Sequence, residues 1–311
     1  MSIKVPFQYI LYVLQGFSIA FLNCLIVAAI LKSSSLRKKK EYLIVCGLAF
    51  ADTALGLAYF AAGCYRLHVI FSHLTTALNS WDCMTKIHSL LLFLALPLSS
   101  LMLVCISVDR LFSVLYPIRY FKAKKFYAYR LIGCFYGFSL ANTFAFAIVS
   151  YTRRHIGLYP PICLSAYALA RGVASRYWFF VRFGSGLTSV AIYLVIPLAY
   201  KLKSNDQQKQ SKLQRQKALI KTLGISALFT FVFFVTPNAI RTYFADAMPE
   251  KLYSLVSPYI SCIQNINPML NFLLYTWRHG EIRRALKKLV CKFSSAPAVA
   301  TLTAKQTDGK S

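Results

Sequence analysis

Seven runs of apolar residues divide the chain, at 8–31, 42–65, 87–108, 131–151, 177–200, 219–240 and 252–276. Each holds about 20 residues or more, which as a helix spans the hydrocarbon core of a bilayer, so each run predicts a membrane-crossing helix. After the seventh run the pattern changes. From Gly280 to Phe293, Ile282, Leu286, Leu289 and Val290 share one helical face while Arg283, Arg284, Lys287 and Lys288 share the other. Such a segment is expected to lie along the membrane surface. The architecture predicted is an all-α membrane protein, a seven-transmembrane helix bundle with a short amphipathic cytoplasmic helix after helix seven. Its divisions are an outside N-terminus (1–7), the bundle (8–277), the juxtamembrane helix (278–293) and a disordered tail (294–311) with weak Ser and Thr phosphorylation sites.

Composition agrees with this pattern. Hydrophobic residues make up 57% of the chain and charged residues only 14%, a membrane balance. The net charge of +27 would also suit a nucleic-acid binder, but the bases cluster between apolar runs, so no nucleic acid is expected as a partner. Alternate connections hold 24 and nine of the Lys and Arg residues. By the positive-inside bias the N-terminus lies outside, and the richer connections, with the C-terminus, face the cytosol. Phe7 to Leu31 is too long for a signal-peptide core and is expected to be the first span. The expected setting is the plasma membrane, crossed several times.

One stretch organises the candidate chemistry. Ile87 to Val108 runs 22 residues without an acid or base, and Asp109-Arg110 follows where that helix would leave the lipid. A charge deeper in would cost on the order of 3 kcal/mol. Pro117 ends the segment shortly afterwards. An ordinary helix end with an interfacial acid–base pair fits the same residues. Deeper still, Asp52 is an intramembrane carboxylate, with Ser99 at similar depth, Asn23 in the first run, and Asn265, Asn267 and Asn271 in the seventh. These oxygens suit a hard cation such as Na⁺. Simple hydrogen bonding between helices explains them equally well. Arg182 must face the bundle or snorkel outward. Pro237 frees a carbonyl and permits a kink in the sixth helix. Gly133 and Gly137 have the GxxxG spacing that allows close helix approach within the bundle.

The nine cysteines form no CxxC pair and no zinc spacing. Cys24, Cys46, Cys105, Cys134 and Cys262 fall in apolar runs, as small hydrophobes do. Cys83 and Cys163 both fall on the outside and are expected to bridge, with Cys64 a competing partner. Cys291 is a palmitoylation candidate. Neither His-Glu-x-x-His nor Gly-x-Ser-x-Gly occurs, His88 stands alone, and no enzyme is expected.

Taken in order, Asn23, Leu48-Ala49-Phe50-Ala51-Asp52, Cys83 with Cys163, Asp109-Arg110 with Pro117, Pro237 and Asn267-Pro268 resemble a rhodopsin-class G-protein-coupled receptor over roughly 8–292. The Asp-Arg-Leu triplet, the short N-terminus and the Asn267 to Tyr275 run look most like nematode SRSX-type serpentine chemoreceptors. The resemblance implies an extracellular ligand, in all expectation a chemosensory small molecule, and a heterotrimeric G protein as partner. A neuropeptide receptor of the same superfamily is the alternative. Arg110 would line a cytoplasmic cleft with Asp109, Pro117, Tyr193 and Tyr275, and Pro237 and Pro268 would be hinges. Pocket candidates are Leu92, Phe93, Leu96, Arg182, Asn238, Arg241 and Ser257, each of which simple packing would also explain.

Departures from the family pattern matter. Leu111 replaces the usual Tyr, Val235 the aromatic before Pro237, and Asn271 the Tyr after Pro268, with Tyr275 one turn later. Helix four lacks its Trp, and helix five has Ser185 at the place of its Pro. Lys217 stands where an acid often restrains the helix-three Arg, which leaves Asp109 to hold Arg110 and implies ligand-free activity. Leu92 stands where amine receptors carry an acid, which argues against a monoamine, and the two arginines lean toward anionic or peptide ligands. No lysine lies between Lys251 and Arg278, so a retinal Schiff base is excluded. A transporter or channel, the reading from another class, would show repeated halves or paired intramembrane charges.

Overall fold

The computed structural model describes residues 7–169, 173–203, 224–247 and 249–294. Residues 204–216, Lys217, most of the tail, and residues 1–6 lie outside them. The described residues contain no strand, only one isolated bridge between Leu78 and Tyr159. The helices are α1 (Phe7–Lys32), α2 (Ser34–Arg37), α3 (Lys40–Phe71), α4 (Ser80–Met84), α5 (Ile87–Leu115), α6 (Pro117–Lys122) and α7 (Lys125–Thr152). Then come α8 (Ser165–Ala168), α9 (Val173–Lys203) and α10 (224–247). The chain continues through α11 (Glu250–Gln264), α12 (Ile266–Arg278) and α13 (Gly280–Ser294).

Six of these, α1, α3, α5, α7, α9 and α10, are long and apolar enough to cross a membrane. The seventh apolar run is divided between α11 and α12, which meet at Asn265. Pro268 explains the break, because it has no N–H for the Gln264 carbonyl one turn earlier. Several helices outrun their apolar cores: α3 continues to Phe71, α5 to Leu115, and α7 starts at Lys125. In α3 and α5 the residues beyond the core are mostly apolar, and the arginines among them, Arg66 and Arg110, are buried within the protein.

Burial identifies α5 as the axis. Its most apolar stretch is 78% buried, against 17% for α7, which therefore sits at the lipid-facing edge. Three layers of core stack through the bundle, the first two built on α5. Tyr12, Tyr59, Phe93 and Trp178 pack at the disulfide end, Leu48, Leu98, Met102 and Ile106 in the middle, and Ile30, Leu36, Val45 and Ile282 beside α13.

The GxxxG expectation is corrected. A Cβ on Gly133 or Gly137 would meet nothing, so these glycines face away from the bundle. The close crossing is elsewhere, between α1 and α3. A Cβ on Gly16 would lie 2.7 Å from the Gly56 carbonyl oxygen, and one on Gly56 the same distance from the Gly16 oxygen. The glycines of α7 share a spacing with true contact glycines, but spacing alone does not say which face meets a neighbour.

Pro237 distorts α10 as expected. Phe231–Val235 forms a π-turn just before it. Such bulges take up the extra residue where the regular ladder fails. Two side chains add hydrogen bonds to carbonyls of this turn: Thr236 Oγ1 donates to Phe231 O at 3.0 Å and Asn238 Nδ2 to Phe234 O at 2.9 Å. Further prolines lie inside helices at Pro97 of α5, Pro197 of α9 and Pro258 of α11.

α13 packs Ile282 and Leu289 inward, with Leu286 partly covered, and Lys39 pairs with Glu281 at 2.6 Å. Val290 departs from the expected face and is exposed. It sits about 100° around the helix from Leu289, which turns it off the packed arc. Cys291 is exposed.

Candidate functional site

The disulfide end is built around the Cys83–Cys163 bridge, which spans 80 residues and ties α4 to the segment before α8. Cys64 is free and exposed, so it does not compete. Cys163 adopts the left-handed conformation, φ 43°, which is costly for a residue with a Cβ. Its surroundings hold it there. Arg66 donates through Nε to Ile162 O at 3.0 Å and through a terminal nitrogen to Cys163 O at 3.2 Å. Leu78 and Tyr159 exchange backbone hydrogen bonds at 2.9 and 2.8 Å. The segment is thus pinned over the mouth of the bundle.

Beneath it lies a narrow cavity of about 30 Å³, lined by Tyr12, Tyr59, Arg66, Leu92, Leu96, Leu164, Ser165, Trp178, Phe179, Arg241, Ser257 and Ser261. Of the residues expected in a pocket, Leu92, Leu96, Arg241 and Ser257 are here. Phe93 lies behind the wall, its ring 5.1 Å from Trp178 and 5.7 Å from Phe146. Arg182 is fully buried one turn from Trp178, 5.0 Å from its ring, and donates to Gln264 Oε1 at 3.1 Å. Asn238 is committed to its own helix through the Phe234 carbonyl. Neither Arg182 nor Asn238 lines the cavity.

Sequence reading missed Arg66, Tyr12, Tyr59, Trp178 and Phe179. Arg66 was assigned to a connection because the apolar run ends at Tyr65. Yet α3 runs on to Phe71, and the guanidinium turns inward above the Tyr9 and Tyr12 rings, at 5.5 and 5.4 Å. The apolar residues Leu67, Val69, Ile70 and Phe71 were the available signal.

Arg241 completes the floor. It donates to Ser257 O at 2.9 Å and to Ser261 Oγ, linking α10 to α11. Its Nε–H and the indole Nε1–H of Trp178 are buried with no acceptor among the described residues.

In the middle of the bundle Asp52 is fully buried. Ser99 donates to one of its oxygens at 2.5 Å and Asn271 to the other at 3.4 Å. Asn23 is not part of this pair of contacts. It donates to Ile19 O at 3.0 Å and Pro268 O at 3.5 Å, joining α1 to α12. Asn267 is buried one turn before Asn271. Both carboxylate oxygens face protein donors, an arrangement that suits hydrogen bonding between α3, α5 and α12.

At the other end, Arg110, Tyr193 and Tyr275 come together around a second small cavity of about 20 Å³, with Ile106, Ser226, Leu274 and Arg278. Arg278 was not expected there. Pro117 opens α6 at its first position, where a missing N–H costs nothing. The expectation that Asp109 holds Arg110 is corrected. No carboxylate of the described residues pairs with Arg110 within 4.0 Å. Asp109 instead accepts from Tyr120 Oη at 3.2 Å. Consecutive helical residues point about 100° apart, so Asp109 turns toward α6 while Arg110 turns into the bundle. Lys40 fastens the same corner by donating to Tyr120 O and, at 3.0 Å, to Ala123 O.

The profile of the 7 transmembrane receptor (rhodopsin family) matches residues 22–275. Human Olfactory receptor 4S2 is 28% identical over 116 residues, 35% of this chain and 33% of that protein. The chain thus matches about a third of that relative's length. Human Olfactory receptor 11A1 is 22% identical over 299 residues, 86% of this chain and 84% of that protein. With a helical bundle, a buried Asp52, a bridged mouth and a match over most of its length, the chain belongs to the rhodopsin family of seven-transmembrane receptors.

Proposed function

We propose that this protein is a chemosensory G-protein-coupled receptor of the plasma membrane, with its N-terminus and disulfide outside and Arg110 and α13 in the cytosol. In this reading α11 and α12 together form the seventh span. The observation that carries it is the pair of separate cavities at opposite ends of one bundle, both touched by elements that flank α10. Ligand in the outer cavity acts on Arg241 of α10, on the C-terminal side of Pro237. The inner cavity meets the same helix at Ser226, on the far side of the π-turn. A hinge between two sites is the element through which one can bias the other.

The olfactory relatives support a chemosensory role, and the SRSX-like features noted in the sequence fit the same reading. The narrowness of the outer cavity favours a small molecule over a peptide. For the Asp52 cluster we infer a hydrogen-bonded joint between α3, α5 and α12.

The test is a cell line reporting several G-protein pathways, screened with small volatile and water-soluble compounds. Arg110→Ala should abolish the G-protein response to an active compound while binding of that compound survives. A response that persists in Arg110→Ala overturns the coupling role. Epitope tags accessible on the same side at both chain ends would overturn the topology.

A further inference from the structure

Resting on the receptor reading above, we infer that the outer cavity is built to take the head group of a small carboxylate anion. Two guanidiniums, those of Arg66 and Arg241, are buried at its wall, and no Asp or Glu lines it. A guanidinium keeps its charge in proteins, and a buried charge without an opposite partner is costly. A cationic ligand would add to that cost; an anion would relieve it.

The hydrogen-bonding groups point the same way. Arg66 has already committed its Nε and one terminal nitrogen to loop carbonyls. Arg241 has committed a terminal nitrogen to Ser257 and Ser261. What remains unmet among these cavity-lining side chains is donors: the Nε–H of Arg241 and the indole N–H of Trp178. Each such buried donor is destabilising until an acceptor arrives. Two unmet donors equal in number the two oxygens of one carboxylate, and Arg241 would supply a charge-assisted bond. A neutral amide would bring one acceptor oxygen and a surplus of donors.

Size and polarity complete the assignment. The cavity of about 30 Å³ has room for a group the size of a few water molecules, enough for a head group alone. The tail must push aside Leu92 and Leu96 or the capping Leu164, all apolar, so it is aliphatic or aromatic. Entry of such a ligand would therefore move the walls, which is what a receptor requires of its agonist.

The test uses purified full-length receptor in lipid nanodiscs, with thermal unfolding as the readout and no G protein present. The probes are acetate, butanoate, hexanoate and octanoate, with hexanamide and hexylamine as controls. Hexanoate or its neighbours should raise the unfolding midpoint at concentrations at least tenfold below those needed by hexanamide, and hexylamine should have no effect. Trp178→Phe keeps the ring and removes the N–H; Arg241→Gln removes the charge. Each should weaken the acid at least tenfold and hexanamide by a clearly smaller factor, and Trp178→Phe serves alone if Arg241→Gln does not fold. The inference is overturned if amide or amine matches the acid, if both variants bind the acid normally, or if none of the acids shifts the midpoint. The two readings fail separately. Acid binding without any change in G-protein activation sinks the receptor reading, whereas signalling by neutral compounds without acid binding sinks only this one.

Discussion

Gly16 of α1 and Gly56 of α3 meet backbone against backbone, each standing where a side chain on the other would strike its carbonyl. Gly63 repeats the contact about two turns further along α3, where a Cβ would lie 2.9 Å from the Tyr9 carbonyl oxygen. This crossing brings Tyr12 beside Tyr59, with ring centroids 5.0 Å apart, and so places two walls of the outer cavity. Close packing of small residues drives helix association in lipid, where the apolar medium offers no hydrophobic gain.

Gly56→Ala should therefore destabilise the receptor by about 1–3 kcal/mol, the usual range for a methyl forced into a packed site. Gly133→Ala should be neutral or stabilising by up to about 1 kcal/mol, because alanine favours a helix and the site is open. Thermal unfolding of both variants in one detergent checks the contrast. A larger loss for Gly133→Ala would mean that α7 has a partner on that face.

Opening the disulfide should loosen the lid in a way that Arg66 shares. Cutting a closed loop of 80 residues removes about 4 kcal/mol by the loop-entropy argument. Cys163→Ser should lower surface expression strongly. Arg66→Gln should lower it less, since it removes hydrogen bonds to two carbonyls but leaves the covalent tie. Flow cytometry of surface-tagged receptor ranks the two, and equal loss would show that the bridge and the arginine act as one unit.

Arg110 has no carboxylate partner at salt-bridge distance among the described residues, and Arg278, another cation, shares its cavity. Neighbouring like charges favour any rearrangement that parts them. Ligand-free signalling should accordingly stand several-fold above mock-transfected cells and fall to background in Arg110→Ala. A reporter assay at matched surface expression measures it, and background signalling in the unmodified receptor would contradict the prediction.

The sequence made the spanning helices legible because hydrocarbon imposes a length and an apolar composition that few other settings demand. Cys83 with Cys163 and the pairing of Asp52 with Ser99 were legible for related reasons: two cysteines expected on one side, and two polar groups at one depth. Arg66 was not legible, because a charge at the end of an apolar run looks the same whether it snorkels or turns inward. Asp109 and Arg110 were read as a pair from adjacency, yet adjacency on a helix separates side chains. The Gly16–Gly56 crossing was hidden for another reason. Its partners belong to different helices, and only the α7 glycines had a spacing visible within one run.

The junction after α12 should respond to acid through His279. Its ring lies edge-on to Tyr42 and beside Tyr275, at 5.4 and 6.4 Å. Burial pushes its pKa down from 6.5 to about 4, and the guanidiniums of Arg278 and Arg110 add to the effect against a smaller opposing pull from Glu281. Between those values the unfolded chain binds a proton that the folded protein refuses, so stability is full above pH 6.5 and declines toward pH 4. The ceiling is about 3 kcal/mol, less where solvent reaches the ring. Glu281 acts in a lower window. Its hydrogen bond from Lys39 holds the carboxyl below its usual 4.5, so its contribution is lost only as pH falls below that value. His279→Phe keeps the ring stacking and removes the titration. Unfolding midpoints measured from pH 7 to 4.5 should fall steeply in the unmodified receptor and much less in His279→Phe. Parallel curves for the two proteins would place the acid sensitivity elsewhere.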